Sequence, residues 1–239
     1  LESSITAGLL SMGVDVVSSG VIPTPAVAYL TRHLEADVGI IISASHNPAE
    51  YNGIKFFNSE GYKLSDEAEN KIEEYIMNHD DVNSRAEGGD IGSVVYNENS
   101  IDEYIDFLKT TIDCDFEGLK IAVDTGNGAA YRVAPRLLRD LGADVFVIND
   151  QPNGININDN CGSTNPQKVA ELVKETGADI GLSFDGDADR LITVDENGNI
   201  VDGDYIMAIC AVNFKERAKL KNNTVVSTVM SNMGFEIAM

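Results

Sequence analysis

The hexapeptide DGDADR places carboxylates at alternate positions, Asp185, Asp187 and Asp189, and ends on Arg190. Carboxylates this close repel one another unless a positive charge lies between them. Their oxygens suit Mg²⁺, which prefers a few protein ligands together with a phosphate oxygen. The adjacent guanidinium is a planar donor that can bind the same phosphate through two hydrogen bonds. These residue types favour a site for a hard cation beside a phosphoryl group.

Three other interpretations of this acidic segment compete. A calcium loop of the EF-hand type has Glu196 at position 12, but position 6 is Arg190, where the sharp turn needs glycine. Its flanks also have the pattern of strands rather than helices, so this interpretation fails. A phosphatase that forms an aspartyl phosphate stays open, with Asp185 as nucleophile and Asp187 as acid and base. A solvated acidic turn also stays open.

A second polar segment, SASHNPAEYNGIKFF at residues 43–57, places Ser45 and His46 directly after a predicted strand. A hydroxyl at the carboxyl edge of a sheet can act as a nucleophile when a base or a metal activates it. The same residue types are common turn formers, so a plain turn is the competing interpretation. The sequence contains no G-x-S-x-G motif, which argues against a hydrolase triad.

Predicted helices and strands alternate along the chain. The near-continuous apolar run at 37–43 is typical of a strand buried on both faces of a parallel sheet. Strands are also predicted at 14–18, 119–124, 143–148, 178–184 and 225–229, and helices from Thr24, over 66–78 with Ala68, Ile72, Tyr75 and Ile76 on one face, over 129–141, after Asn165-Pro166 and over 204–219. This alternation predicts an α/β protein made of three-layer α/β/α domains with mixed, mostly parallel sheets. Functional loops in such domains lie at the carboxyl ends of the strands.

Composition narrows the class of partner and the compartment. The 239 residues carry a net charge of −22, which argues against a nucleic-acid partner. No apolar run approaches the roughly 20 residues needed to cross a bilayer, so no membrane association is expected. The three cysteines show no CxxC spacing, which favours a reduced, cytoplasmic protein. The polar stretch at 79–99 is the best candidate for a domain boundary.

Taken together, SASHNP, NGIKFF and DGDADR resemble the phosphoserine and metal loops of the α-D-phosphohexomutases. The similarity extends to PNGININDNCGSTNP and NTVVSTVMSN, and covers essentially the whole chain. Within that family the match is best to bacterial members that act on glucosamine phosphates. The resemblance implies interconversion of glucosamine 6-phosphate and glucosamine 1-phosphate through a phosphoserine enzyme and a bisphosphate intermediate. A mannose or glucose phosphate substrate is the alternative within the family.

The resemblance also implies roles for individual residues. Ser45 is similar to the serine that carries the phosphoryl group, and its phosphate oxygen would join the aspartates of DGDADR as a ligand of Mg²⁺. Arg190 and His46 match residues beside the transferring phosphate. Lys55 matches a residue that is a candidate for proton transfer. Homodimers are common in this family, so a homodimer is a further expectation.

Departures from the family pattern define the expected domain organisation. The family has four domains, with a sugar-selecting GExSG loop in the third and a phosphate-binding loop in the fourth, and this sequence contains neither. We therefore expect residues 1–95 to be the C-terminal part of a first domain, 96–203 a second domain and 204–239 the start of a third. On this interpretation the 239 residues are a piece of a longer protein. We expect that piece to bind Mg²⁺ without turning over substrate on its own.

Overall fold

A computed structural model describes residues 1–78 and 85–239 of the chain. The helices are α1 Glu2–Ser11, α2 Thr24–His33, α3 Asp66–Met77, α4 Ser100–Lys109, α5 Ala130–Asp140, α6 Gln167–Thr176, α7 Gly203–Glu216 and α8 Met233–Ala238. The strands are β1 Val16–Ser18, β2 Val38–Ile42, β3 Ile54–Asn58, β4 Val94–Tyr96, β5 Lys120–Asp124, β6 Asp144–Ile148, β7 Ile180–Phe184, β8 Leu191–Asp195 and β9 Ile200–Val201. Their alternation confirms the predicted α/β class.

The second unit of the chain, which runs from α4 to β9, is a three-layer sandwich around a five-stranded mixed sheet. The strand order is β6-β5-β7-β8-β9, in which β6, β5 and β7 are parallel and β8 and β9 are antiparallel. Side chains of β5 alternate between the two faces, as the period of a strand requires. Helix α5 covers one face through Leu138, and α6 covers the other through Val169 and Val173. This layering carries β7 to the centre of the sheet, where it ends on the acidic hexapeptide.

The first unit, which runs from α1 to β4, contains two strand pairs. β1 and β4 are parallel, so the chain up to Tyr96 packs with this unit, whereas β2 and β3 form an antiparallel hairpin. The prediction that 37–43 is a parallel strand buried on both faces is therefore wrong: β2 pairs with β3, and Val38 is 49% exposed. An apolar run reports burial but carries no information on which strand will pair with it, because that partner lies elsewhere in the sequence.

One hydrophobic core joins the two units. Ile22, Ala26 and Leu30, from α2 and the residues before it, pack with Tyr104 and Ile105 of α4 and with Val133 of α5. Beside this cluster, the rings of Tyr29 and Phe107 stack with their centroids 4.1 Å apart. The two units thus share buried apolar area, the main source of folding stability, and each fixes the position of the other.

One further prediction is wrong. Residues 225–229 form no strand, and Val226 and Val229 are 89% and 100% exposed, because none of the described strands pairs with them. Helix α3 forms as predicted, and on its apolar face Ala68 and Ile72 are half-buried whereas Tyr75 and Ile76 are exposed.

Part of the stretch proposed as a domain boundary, residues 79–84, lies outside the described residues. Within residues 1–78 and 85–239, no helix has the length and apolar character needed to span a membrane.

Candidate active site

The acidic loop, residues 185–190, connects β7 to β8 and turns back on itself. The backbone N–H of Asp185 donates to the carbonyl of Arg190 (3.3 Å), and Ala188 takes a left-handed conformation with φ of 57°. This turn gathers the carboxylates, so that one oxygen each from Asp185, Asp187 and Asp189 lies within 4.8 Å of the other two. Asp185 and Asp187 are buried and Asp189 is exposed. The three carboxylates predicted as metal ligands thus converge.

Asp185 contacts the serine singled out in the sequence. Its Oδ2 accepts a hydrogen bond from the Ser45 hydroxyl (3.2 Å), across 140 residues of chain, and its Oδ1 accepts from the Arg190 backbone N–H (3.0 Å). Burial raises the pKa of Asp185 to about 6; the Arg190 amide opposes the shift, and the charges of Asp187 and Asp189 add to it. A buried carboxylate with this pKa is in electrostatic conflict with its neighbours, and a bound cation would relieve that conflict.

Asp187 has one satisfied oxygen and one unsatisfied oxygen. Oδ2 accepts hydrogen bonds from the Lys55 ammonium (2.7 Å) and the Thr24 hydroxyl (3.0 Å). Burial alone would raise the pKa of Asp187, but Lys55 and Thr24 outweigh it and hold the pKa below its ordinary value. Oδ1 is buried and has no hydrogen-bond partner among the described residues. An unpaired buried carboxylate oxygen in a cluster of hard oxygen donors fits a divalent cation such as Mg²⁺.

The Ser45 loop, residues 43–53, connects β2 to β3 and faces the acidic loop. Ser45 adopts a left-handed backbone with φ of 54°, and its N–H donates to the Ser43 hydroxyl (2.9 Å). Such a conformation costs a non-glycine residue on the order of 1–3 kcal/mol and is found where the surroundings enforce it. His46, next along the loop, has a buried Nδ1 without a hydrogen-bond partner among the described residues.

Lys55 and Arg190, the two cationic side chains predicted for the site, lie beside the carboxylates. Lys55, on β3, also approaches Asp189, with its Nζ 3.4 Å from Oδ2. Burial lowers the pKa of Lys55, but its ion pairs with Asp187 and Asp189 outweigh burial and raise the pKa above the usual value, so Lys55 is protonated at neutral pH. The side chain of Arg190 is 57% exposed, with its Nε 3.9 Å from Asp189 Oδ1. It lies at the open edge of the site, where a ligand can reach it.

Sequence reasoning missed three residues of this site. Thr24 was recognised only as the start of α2, yet it binds Asp187 through both its hydroxyl and its backbone N–H. Asn158 donates hydrogen bonds to the Ser45 loop from the second unit. Gly186 lies so close to that loop that a Cβ there would come 2.5 Å from the Ser45 carbonyl oxygen. The glycine within DGDADR was the one local signal, since glycine often marks a close backbone approach.

Comparison with known families shows to which family this chain belongs. Residues 1–83 match α/β/α domain I of the phosphoglucomutase/phosphomannomutase family, residues 102–198 match domain II and residues 202–239 match domain III. The chain belongs to this family. The resemblance to the α-D-phosphohexomutases, inferred from the sequence motifs, is confirmed.

Individual relatives agree with the family assignment. The chain is 70% identical to a phosphoglucosamine mutase of Alkaliphilus oremlandii and 62% identical to one of Alkaliphilus metalliredigens, over 239 residues in both cases. Each alignment covers 100% of this chain and 53% of the relative, so the chain spans about half the length of these curated relatives. A crystal structure of a phosphoglucomutase/phosphomannomutase family protein from Burkholderia thailandensis superposes with a TM-score of 0.76 at 29% identity, covering 91% of this chain and 48% of that one.

Proposed function

We propose that the protein to which this chain belongs is a phosphoglucosamine mutase, which interconverts glucosamine 6-phosphate and glucosamine 1-phosphate. One observation carries the proposal: the Ser45 hydroxyl of the first unit lies 3.2 Å from a carboxylate of the acidic cluster in the second. A serine in this place can carry a phosphoryl group beside a bound cation. The relatives named phosphoglucosamine mutase support glucosamine phosphate as substrate over glucose or mannose phosphates.

In the proposed reaction, phosphorylated Ser45 donates its phosphoryl group to the free hydroxyl of the sugar phosphate. The bond from phosphorus to Ser45 Oγ breaks and a bond to the sugar oxygen forms, while the sugar hydroxyl loses a proton and Ser45 Oγ gains one. The resulting bisphosphate turns round in the site and returns its other phosphoryl group to Ser45. The product is the isomeric monophosphate, and the phosphoserine is restored.

The cation site has a supporting part in this scheme. Asp185, Asp187 and Asp189 are the proposed ligands of Mg²⁺, together with a phosphoserine oxygen. When bound, Mg²⁺ supplies positive charge to the oxygens of the phosphoryl group during transfer. Lys55 keeps its proton at neutral pH, so its proposed part is to donate charge and a proton rather than to act as a base. Arg190 at the open edge is proposed to bind the phosphate of the substrate, and His46 to lie beside it.

The proposal is tested by phosphopeptide mapping and turnover in the whole protein. We expect a single phosphorylated serine, Ser45, and loss of both the phosphate and the mutase activity in Ser45→Ala. Ser59→Ala, an exposed serine in the turn after β3, is the matched control and should keep both. A phosphatase acting through Asp185 would give the opposite pattern, in which Asp185→Asn abolishes hydrolysis of a phosphate ester and Ser45→Ala leaves it intact. That pattern would overturn the proposal.

Two expectations about the whole protein stay predictions. The free cysteines Cys114, Cys161 and Cys210 accord with a reducing, cytoplasmic environment. A homodimer is expected from the family resemblance alone, and the molecular mass in solution decides it.

A further inference from the structure

Asn158, in the loop between β6 and α6, reaches across to the Ser45 loop of the other unit. Its Nδ2 donates one hydrogen bond to the Ser45 carbonyl (2.8 Å) and another to the Asn47 carbonyl (3.0 Å). The residue is only 8% exposed. Both donors of one buried amide are therefore used on the segment that carries the reactive hydroxyl, more than 100 residues away in sequence.

The two hydrogen bonds act on a backbone conformation at Ser45 that its surroundings must stabilise. Ser45 has a left-handed φ of 54°, which a serine does not adopt readily without enforcement from its surroundings. The hydrogen bond from its N–H to Ser43 holds one side of the residue, and Asn158 holds the carbonyl on the other side. Because the direction of the Ser45 hydroxyl follows from this backbone conformation, Asn158 acts on where that hydroxyl points.

Asn158 is itself firmly anchored. Its backbone N–H donates to the Gly126 carbonyl (2.9 Å), and the Gly126 N–H donates to the buried Asp124 carboxylate (2.9 Å). The other oxygen of Asp124 accepts from the Gly162 N–H (2.9 Å), which closes the far end of the same loop. Asp124 is fully buried, on β5 at the centre of the second unit. The amide is thus presented to Ser45 from a rigid base.

The acidic loop also lies against the Ser45 carbonyl and the Asn158 amide. A Cβ on Gly186 would come 2.5 Å from the Ser45 carbonyl oxygen and 2.8 Å from Asn158 Nδ2. The Ser45 carbonyl, the Asn158 amide and Gly186 of the acidic loop are therefore packed together at one point. Its own Oδ1 is buried without a partner among the described residues, an arrangement that weakens stability.

We infer that Asn158 is a positioning residue, which holds Ser45 in the geometry needed to receive and donate a phosphoryl group. This inference rests on the proposed mutase function. The Asn158 amide hydrogen-bonds to the Ser45 and Asn47 carbonyls rather than to the Ser45 hydroxyl or the carboxylates, so it acts through the backbone of the Ser45 loop. A misplacement on the scale of 1 Å in a reacting group lowers turnover by roughly 100-fold, so losing both hydrogen bonds should reduce kcat by about 10- to 100-fold.

The test compares Asn158→Gly with Asn160→Gly in the whole protein. Both residues have a left-handed backbone, φ of 56° and 50°, which glycine accepts without strain. Asn160 is exposed, and its Nδ2 donates to the neighbouring Asp159, so it is the matched control. We expect Asn158→Gly to show the fall in kcat, slower phosphorylation of Ser45 by a hexose 1,6-bisphosphate, and KM and Mg²⁺ affinity within about twofold of Asn160→Gly.

Hydrogen exchange separates this inference from the proposed function. We expect the amides of Ser45 and Asn47 to exchange faster in Asn158→Gly than in Asn160→Gly. Equal kcat in the two variants, or equal exchange at these amides, would overturn the positioning role. A general loss of folding would instead lower the melting temperature and speed exchange at amides throughout the chain, and that outcome would also overturn it. If the wild-type protein carries no phosphoserine, the proposed function fails, and the exchange comparison still decides whether Asn158 holds the loop.

Discussion

Replacing Lys55 with methionine should strengthen Mg²⁺ binding and lower the thermal stability of the metal-free protein. The Lys55 ammonium lies 2.7 Å from Asp187 Oδ2 and 3.4 Å from Asp189 Oδ2, among the oxygens proposed to hold the ion. A divalent cation bound by these carboxylates competes with the ammonium for the same oxygens. Methionine keeps the unbranched apolar part of the side chain and lacks the terminal ammonium, so Lys55→Met removes the competitor.

The magnitude follows from the burial of the ion pair. The Lys55 side chain is 31% exposed and that of Asp187 is 2% exposed. Exposed pairs contribute about 0.2–1 kcal/mol, whereas breaking a fully buried pair costs roughly 3–5 kcal/mol. After allowance for solvent screening at Lys55, an interaction of about 1–2 kcal/mol is reasonable for this half-buried pair. Releasing it should tighten the Kd for Mg²⁺ by about 5- to 30-fold.

Isothermal titration with Mg²⁺ and thermal melting of the 239-residue chain measure both sides of this balance. Lys63→Met is the control, because Lys63 pairs with Glu69 at 3.2 Å, is 60% exposed and lies just past the same hairpin. We expect Lys55→Met to melt below the control without metal and to lose that deficit at saturating Mg²⁺. The reasoning is refuted if Lys55→Met binds Mg²⁺ no more tightly than Lys63→Met. Equal tightening in both variants would also refute it, because that indicates long-range charge rather than local competition.

Three other perturbations test the site and its support. The pKa of Asp185 is raised from 3.8 to about 6, so its ionisation destabilises the metal-free protein increasingly as the pH rises between these values and fully above them. Asp185→Asn should therefore melt higher than the wild-type protein at pH 7.5, and the gap should narrow as the pH falls toward 3.8. Ile105→Ala, in the core shared by the two units, should lower the unfolding free energy by about 2–4 kcal/mol, measured by urea denaturation. Gly128→Ala places a Cβ 2.4 Å from the Gly186 carbonyl oxygen and should weaken Mg²⁺ binding at least about tenfold by titration, with unchanged circular dichroism.

Local patterns were sufficient to predict most elements of the second unit. The apolar runs of β5, β6 and β7, each followed by polar residues, carry their information within a few residues. The acidic loop was predictable for the same reason, since its carboxylates are spaced two apart after a buried strand. A tight turn that follows such a strand can only gather them.

Pairing between distant segments was not predictable from these patterns. The run at 37–43 gave the correct strand and the wrong partner, because an apolar strand has the same appearance beside a parallel or an antiparallel neighbour. Residues 225–229 have the composition of a strand. A strand forms only where its backbone N–H and C=O groups bond to a neighbouring strand, and none of the described strands pairs with this segment. Sequence reports the tendency of a segment, whereas the sheet depends on which segments meet.

The contacts that complete the site also join segments that are far apart in the sequence. Thr24 and Asp187 are 163 positions apart, and Asn158 and Ser45 are 113 apart. No local spacing distinguishes Asn158 from the other asparagines of its loop, since several share its left-handed backbone. A left-handed asparagine predicts a turn and says nothing of what its amide will reach.

The division of the site between two units places a demand on the core that joins them. Ser45 comes from the first unit, and Asp185 and its neighbouring carboxylates come from the second, so neither unit folded alone would hold a hydroxyl against a carboxylate. The burial that raises the pKa of Asp185 and leaves Asp187 Oδ1 unpaired opposes this close approach. The apolar cluster of α2, α4 and α5 must therefore stabilise the junction by more than the carboxylates destabilise it. A bound cation would reverse the sign of the electrostatic contribution, so the same geometry that is strained without the ion becomes self-consistent with it.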